Sequence, residues 1–370
     1  MGIITFLLLP FSWLYGSLMM MRNFLFDTGL FPSRRFDIPV ISVGNLSLGG
    51  TGKTPHTEYL IRLLRDRYYV STLSRGYGRE TRGFILASRR TNARYIGDEP
   101  LQYLKKFGNI RVAVDENRAR GIRKLLEKIP GPDVILLDDA FQHRWVKPGL
   151  SVLLTDYLNP YFEDRVVPSG RLREFPIGAR RADLIIVTKT PKILSPITRR
   201  RLLEKVNPLP RQQVFFSYIQ YGDPLPVFDF TDPCFATRPA YILLFTGIAQ
   251  DYPLKEHLER LCRDLIVVRY PDHHHYTLKD FESLKKQFED LPGHKKILVT
   301  TEKDAMRLKT PEAATVFRNL PLFFVPIEIR FHGNDQPAFD QIILDYMEKH
   351  RRPHPVPPPA DHPEEDIPEE

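Results

Sequence analysis

Apolar residues in this chain gather into short continuous runs, each closed by a polar or glycine-rich turn, with stretches of helical spacing between them. Residues 38–43 form the first run, followed by a helical pattern at 56–65 and a second run at 69–73. Helical patterns at 101–107 and 118–128 flank a strand at 111–114, and further strands are expected at 134–137, 151–155 and 184–188. Apolar runs without alternation suit strands covered on both faces, and helices between them make a mostly parallel, doubly wound α/β sheet. Residues 214–230 alternate apolar and polar and read as an extended connector. Beyond it, strands at 241–245, 265–269 and 296–300 make a second, smaller α/β domain, whose last helix ends near Tyr346. The expected division is an N-terminal helix at 1–35, a larger domain at 36–213, the connector, a smaller domain at 231–350, and a tail at 351–370. The tail is rich in Pro and Glu and cannot build a core.

The N-terminal pattern differs from the rest. Residues 3–21 carry no charge, lack the basic start and small-residue cleavage site of a secretory signal, and are interrupted by Pro10 and Gly16. Trp13 and Tyr15 favour a membrane interface, and Arg22, Arg34 and Arg35 follow. These features predict an anchoring or partly inserted hydrophobic helix, with the basic body on the cytoplasmic face of a membrane. A core helix is the alternative, but with no polar face it would have to be buried all round.

The chain has 370 residues, long enough for two cores, and only two cysteines, Cys234 and Cys262, which exclude a disulfide framework. Its net charge of +8 is uneven: two arginines and six acids follow residue 350, a net of −4, so the remainder carries +12. A basic body suits anionic lipid, phosphorylated substrates or nucleic acid. No nucleic-acid motif appears, and nothing implies a protein partner.

Candidate chemistry begins after the first strand. Ser47, Leu48, Gly49, Gly50, Thr51, Gly52, Lys53 and Thr54 form a glycine-rich loop between strand and helix, as a phosphate-binding P-loop requires. Such a loop turns backbone N–H groups toward phosphates; Lys53 then reaches the terminal phosphates of ATP, and the Thr54 hydroxyl ligates Mg²⁺. Ser47 stands where the usual pattern has its first glycine. The strand at 134–137 ends in Asp138 and Asp139, acids placed to hold Mg²⁺ directly or through water. Alone, an Asp-Asp strand end is more often a turn or helix cap; beside a P-loop the balance reverses and it points to a P-loop NTPase-like fold.

Seven ordered motifs carry a family resemblance. They are Gly44-Asn45 with Gly-Gly-Thr-Gly-Lys-Thr-Pro at 49–55, Ser-Arg-Gly-Tyr-Gly-Arg at 74–79, Gly-Asp-Glu-Pro at 97–100, and Asp-Asp-Ala-Phe-Gln-His-Arg at 138–144. Pro-Ser-Gly-Arg-Leu-Arg-Glu at 168–174, Asp-His at 272–273 and Thr-Glu-Lys-Asp-Ala at 301–305 complete the set. Together they resemble the tetraacyldisaccharide 4'-kinase family of Gram-negative lipid A biosynthesis, over nearly the whole chain. The family's P-loop also tends to lack the first glycine, so Ser47 is no departure. Gly247-Ile248-Ala249 does depart from the family's Gly-Ile-Gly.

The resemblance implies transfer of the ATP γ-phosphate to the 4'-hydroxyl of an acylated glucosamine disaccharide 1-phosphate lipid, giving lipid IVA, at the cytoplasmic face of the inner membrane. It implies catalytic roles for Lys53 and for Asp98 as base with His273, one from each domain. Read without it, Asp98 is a helix N-cap, and residues 273–275 are a histidine tract poorly spaced for zinc. Gln142, His143, Arg171, Arg173 and Glu174 are substrate or supporting candidates, with Arg75, Arg118, Arg120 and residues 302–304 behind them. Two other classes fit the P-loop. A GTPase or metal-chaperone NTPase would want Asn-Lys-x-Asp, and Thr301 stands in place of Asn. A membrane adaptor that binds nucleotide without chemistry leaves Asp98 and His273 with no role.

Overall fold

Strand β1, Val40–Asn45, is buried at every position, as a strand covered on both faces must be. The structure, a computed structural model, describes residues 6–129, 131–228, 238–248, 251–272 and 274–350. β1 lies in a nine-stranded sheet between β5 (Val134–Asp138) and β6 (Leu150–Asp156). Beyond β5 come β2 (Val70–Ser74), β4 (Arg111–Val114) and the short β3 (Ile85–Leu86). Beyond β6 come β7 (Leu184–Thr188), β8 (Gln213–Tyr221) and β14 (Ile327–Phe331). Neighbours from β8 to β4 run parallel, and β3 joins β4 antiparallel.

Register sets the site. Val43 pairs with Asp138 and Asn45 with Leu154, while Asp156 pairs with Thr188, so Asn45, Asp138, Asp156 and Thr188 all stand at carboxyl ends of adjacent strands. The chain runs outward from β1 on one side, returns to β5, then builds the other side. Such a reversal opens a crevice above the carboxyl ends, where open α/β sheets take ligands.

Helices cover both faces. Leu60 and Leu64 of α2 (Lys53–Leu64), and Leu101 and Leu104 of α4 (Asp98–Lys106), join a core with Ile41, Val43 and Leu136. The short α3 (Ala93–Ile96) precedes α4 and buries Ile96 there. Val40, Ile135 and Leu137 point the opposite way, against Ile122 and Leu125 of α5 (Arg118–Lys128). The inversion is the period-2 alternation of a strand. α6 (Pro196–Val206) closes a third cluster through Leu202 and Val206.

The chain divides into two compact units, residues 1–219 with 329–370, and residues 220–328. The second unit holds a five-stranded sheet ordered β11 (Asp264–Arg269), β10 (Tyr241–Thr246), β12 (Lys296–Thr301), β13 (Leu322–Val325) and β9 (Leu225–Pro226). All are parallel except β9. Its helices are α7 (Tyr252–Glu259), α8 (Leu278–Glu289), α9 (Glu302–Arg307) and α10 (Pro311–Phe317).

Two expectations differ from this. Much of the expected connector is strand β8, paired with β7 from Gln213 to Phe216; alternating apolar and polar residues describe a half-covered strand as well as a linker. The second unit also stops short of residue 350. α11 (Asp335–Lys349) returns to the first unit, where Phe339 and Ile343 enter its core and Tyr346 Oη accepts the Val40 amide at 3.2 Å. The tail at 351–370 lies outside the described residues.

α1 spans Leu9–Asp27, displaced toward the C-terminus by six residues from the uncharged segment at 3–21. Ser12, Gly16 and Phe26 are buried, whereas Phe11, Trp13, Leu14, Leu18, Met21 and Phe24 are exposed, Trp13 at 66%. A Cβ on Gly16 would sit 2.4 Å from the Phe175 ring, so glycine lets the helix approach. Among the described residues no helix is long and apolar enough to cross a membrane.

Candidate active site

The loop leaving β1 is held from several directions. Asn45 Nδ2 donates to Thr51 Oγ1 at 2.9 Å, within the turn. Leu48 donates its amide to the Arg171 carbonyl and Arg173 its amide to the Leu46 carbonyl, each at 2.7 Å, tying the loop to 171–173. Ser47 is buried and bridged to Leu172, a residue that needs no left-handed backbone; Gly49 at φ 103° and Gly52 at φ 85° do. Gly52 caps α2, so Lys53 and Thr54 open the helix and its N-terminal dipole faces the crevice.

Asp138 and Asp139 differ in environment. Asp138 is 5% exposed; its Oδ2 accepts the Tyr103 hydroxyl at 2.8 Å, and its Oδ1 has no hydrogen-bond partner among the described residues. Burial, then the charges of Asp139 and Glu99, push its pKa up to about 6. Asp139 turns out of the strand at φ 47°. Lys53 Nζ lies 3.7 Å from its Oδ1 and Arg173 Nη1 3.0 Å from the same oxygen. Burial pushes its pKa up, but those two cations outweigh it and hold the carboxyl below its usual range. Behind both acids, Arg118 is buried with its guanidinium toward the carbonyls of Asp138 and Asp139, each at 3.4 Å.

A polar cluster supports Arg173. Gln142 Oε1 accepts from Arg173 at 3.3 Å, and its Nε2 donates to the Asn45 carbonyl at 2.7 Å and to Glu174 at 3.3 Å. Glu174 is 2% exposed yet fully paired: Arg181 grips it at 2.8 and 2.9 Å, and Asn23 of α1 donates at 2.7 Å. His143 sits behind, with Nε2 3.4 Å from the Arg118 amide; burial and the Arg118 charge lower its pKa to about 4.

The structure thus brings together the loop, Lys53, Asp138, Asp139, Gln142, Arg173 and Glu174. Arg171 turns away and pairs with Asp164 at 3.2 Å, leaving its carbonyl as the loop contact. Asp98 is the half-buried first residue of α4; Gly97, not Asp98, takes the cap position. Through the same helix Tyr103 reaches Asp138. His273 lies outside the described residues. Its neighbour His274 faces Asp280 at 3.1 Å. Glu302, Lys303 and Asp304 open α9, where Asp304 binds the Gly247 amide at 3.0 Å and Arg307 at 3.1 Å. Arg120 pairs with Asp115 at 2.6 Å, and Arg75 is exposed.

Several participants were not singled out from the sequence. Lys189 pairs with Asp156 at 2.9 Å and donates to the Gly50 carbonyl; Thr188 donates to the Thr51 carbonyl at 2.9 Å. Strand ends beside a P-loop were the available signal. Asn23, Tyr103 and Arg181 gave none.

The residues present fit Mg²⁺ with a nucleotide. No group of three or more His, Cys, Asp or Glu able to hold a metal occurs among the described residues, so a cation here needs phosphate oxygens as well. Asp138 Oδ1, buried and without a partner, is the acceptor such a cation would satisfy.

Comparison with known proteins agrees with this chemistry. The family profile described as Tetraacyldisaccharide-1-P 4'-kinase matches residues 4–348. Tetraacyldisaccharide 4'-kinase of Bacteroides thetaiotaomicron is 46% identical over 356 residues, covering 93% of this chain and 94% of that protein. Its counterpart in Flavobacterium johnsoniae is 43% identical, covering 95% of this chain and 100% of that one. Among solved structures, LpxK from Aquifex aeolicus in complex with ATP aligns with a TM-score of 0.70 at 26% identity, over 93% of this chain and 100% of that one. A P-loop with two strand-end acids belongs to many NTPases, but a match from residue 4 to residue 348 selects one: the chain belongs to the tetraacyldisaccharide-1-P 4'-kinase family.

Proposed function

We propose that this chain carries out its family's reaction at the cluster above the carboxyl ends of β1 and β5, with the roles below. The reaction is ATP-dependent phosphorylation of the 4'-hydroxyl of tetraacyldisaccharide 1-phosphate, a step of lipid A biosynthesis. The observation that carries the assignment of the site is the approach of Lys53 to Asp139 at 3.7 Å, beside the unpartnered Asp138 oxygen.

Ser47 to Thr54 cradle the triphosphate, and Lys53 supplies charge where the transferred group develops it. Thr54, Asp138 and Asp139 would hold Mg²⁺, which when bound neutralises phosphate charge. Arg173, set by Gln142 and Glu174, keeps a second cation beside Asp139. Asp98 takes the proton of the attacking hydroxyl, and His273 orients it; a sugar hydroxyl is a poor nucleophile, so a positioned base helps although charge neutralisation carries most of the rate. The exposed apolar face of α1 lies against the cytoplasmic surface of the inner membrane, where the lipid acceptor is.

The test incubates purified protein with labelled ATP and disaccharide 1-phosphate, beside Lys53→Ala. Wild type should give a phosphorylated lipid, and the variant should lose about a hundredfold or more in rate. Absence of product with wild type, or an unimpaired Lys53 variant, sinks this assignment.

A further inference from the structure

His56 lies in the first turn of α2, three residues after Lys53, and is 3% exposed. Its Nδ1 is 2.7 Å from the Gly52 carbonyl oxygen, and its Nε2 is 3.0 Å from Ser217 Oγ on β8. A carbonyl only accepts, so Nδ1 carries the proton. A neutral ring then accepts at Nε2, with Ser217 as donor.

The Gly52 carbonyl is not tethered alone. Lys189 holds the Gly50 carbonyl and Thr188 the Thr51 carbonyl, both from the end of β7. Three successive carbonyls of the loop are therefore each bound by a side chain. Across a trans peptide, C=O and N–H point in opposite directions. Fixing the Thr51 and Gly52 carbonyls thus turns the N–H groups of Gly52 and Lys53 the other way, toward where a phosphate would lie. Ser217 is itself fixed, its carbonyl accepting from Thr190 Oγ1 at 2.9 Å, and Thr190 Oγ1 contacts His332 Nε2 at 2.7 Å.

We propose that His56 is a positioning residue for ATP, its Nδ1–H holding the Gly52 carbonyl so that the phosphate-binding amides are set before the nucleotide arrives. This rests on the P-loop being the ATP site. Its worth is that of preorganisation: without the clip, binding must itself order a glycine-rich turn.

The experiment compares His56→Asn with His56→Gln, by ATP calorimetry and by steady-state kinetics. Asparagine places an amide N–H where Nδ1 stands and keeps the Gly52 bond; glutamine reaches instead toward Ser217. His56→Gln should raise both Kd and KM for ATP by about tenfold, the worth of one buried hydrogen bond. His56→Asn should stay within about threefold of wild type, and KM for the lipid should not move in either. Both variants are polar and of similar size, so a purely structural role would lower their Tm together and leave ATP affinity equal between them. Equal ATP affinities for the two variants would overturn the proposal. Wild type that binds ATP but makes no lipid product would instead refute the functional assignment, and the calorimetric comparison would still read out His56.

Discussion

Arg173 donates to Asp139 through both terminal nitrogens, 3.0 Å from Nη1 to Oδ1 and 3.4 Å from Nη2 to Oδ2. This carboxylate, which the strand end offers to a metal, is therefore already neutralised. With Asp139 in its proposed role as a Mg²⁺ ligand, the ion would have to share or displace the guanidinium. Replacing Arg173 by Ala should free the acid and tighten apparent Mg²⁺ affinity several-fold, while kcat falls about tenfold through loss of a cation at the transferring group. A Mg²⁺ titration at saturating ATP checks this; weaker Mg²⁺ affinity in the variant would mean that Arg173 orients Asp139 rather than competing for it.

Asp138 gives a pH signature. Its pKa is raised to about 6, so it is protonated below that value and anionic above it. Only the anion binds a cation, so the apparent KM for Mg²⁺ should rise as pH falls through about 6, by about tenfold per unit well below it. Asp139→Asn removes one of the two neighbouring charges that raise this pKa, so the limb should move to lower pH even as the rate drops. The stability sign runs the other way. A carboxyl whose folded pKa is raised binds more protons folded than unfolded, so this group's contribution weakens from pH 3.8 to about 6. Mg²⁺ dependence that is flat from pH 5 to 7 would remove Asp138 from the metal site.

The roles proposed for Asp98 and His273 are open to kinetic test. Each change to Ala should lower kcat strongly and leave ATP affinity within about threefold, since a base on the acceptor hydroxyl acts in the transition state. If the two work as one unit, the double variant should be scarcely slower than the worse single variant. Multiplicative losses would assign them separate tasks.

How much of this was legible follows from sequence distance. The strand at 38–43, the loop at 47–54 and the Asp-Asp strand end are local patterns, and each was readable because its chemistry sits within a few neighbouring residues. Asp139 and Arg173 are separated by 34 positions, Asn23 and Glu174 by 151, and His56 and Ser217 by 161; composition and periodicity say nothing about such pairs. The return of α11 was hidden for a related reason. Its apolar stripe at Phe339, Ile343 and Met347 shows that the helix covers a core but not which one. Strands β13 and β14 were both missed, because they are only four and five residues long and a single residue, Pro326, separates them.

The N-terminal segment should act as a membrane anchor. Deleting residues 1–21 removes Trp13 and most of the exposed apolar side chains of α1. Flotation with liposomes should fall sharply, while ATP affinity in solution stays within about twofold. Equal flotation by the full and shortened chains would remove the anchoring role from the segment.

Arg22 and Asn23 lie just past that deletion, and they give α1 a second character. Arg22 donates to the Gln142 carbonyl at 3.2 Å, Asn23 to Glu174 at 2.7 Å, and Arg144 grips the Asn23 carbonyl at 2.8 Å and Asp27 at 2.6 Å. The far end of the helix is thus a strut under the loop that aims Arg173. Two truncations separate the functions: a cut at residue 21 takes away the float, whereas a cut at residue 27 takes away the keel and should cost turnover even in detergent, where no membrane is left to miss.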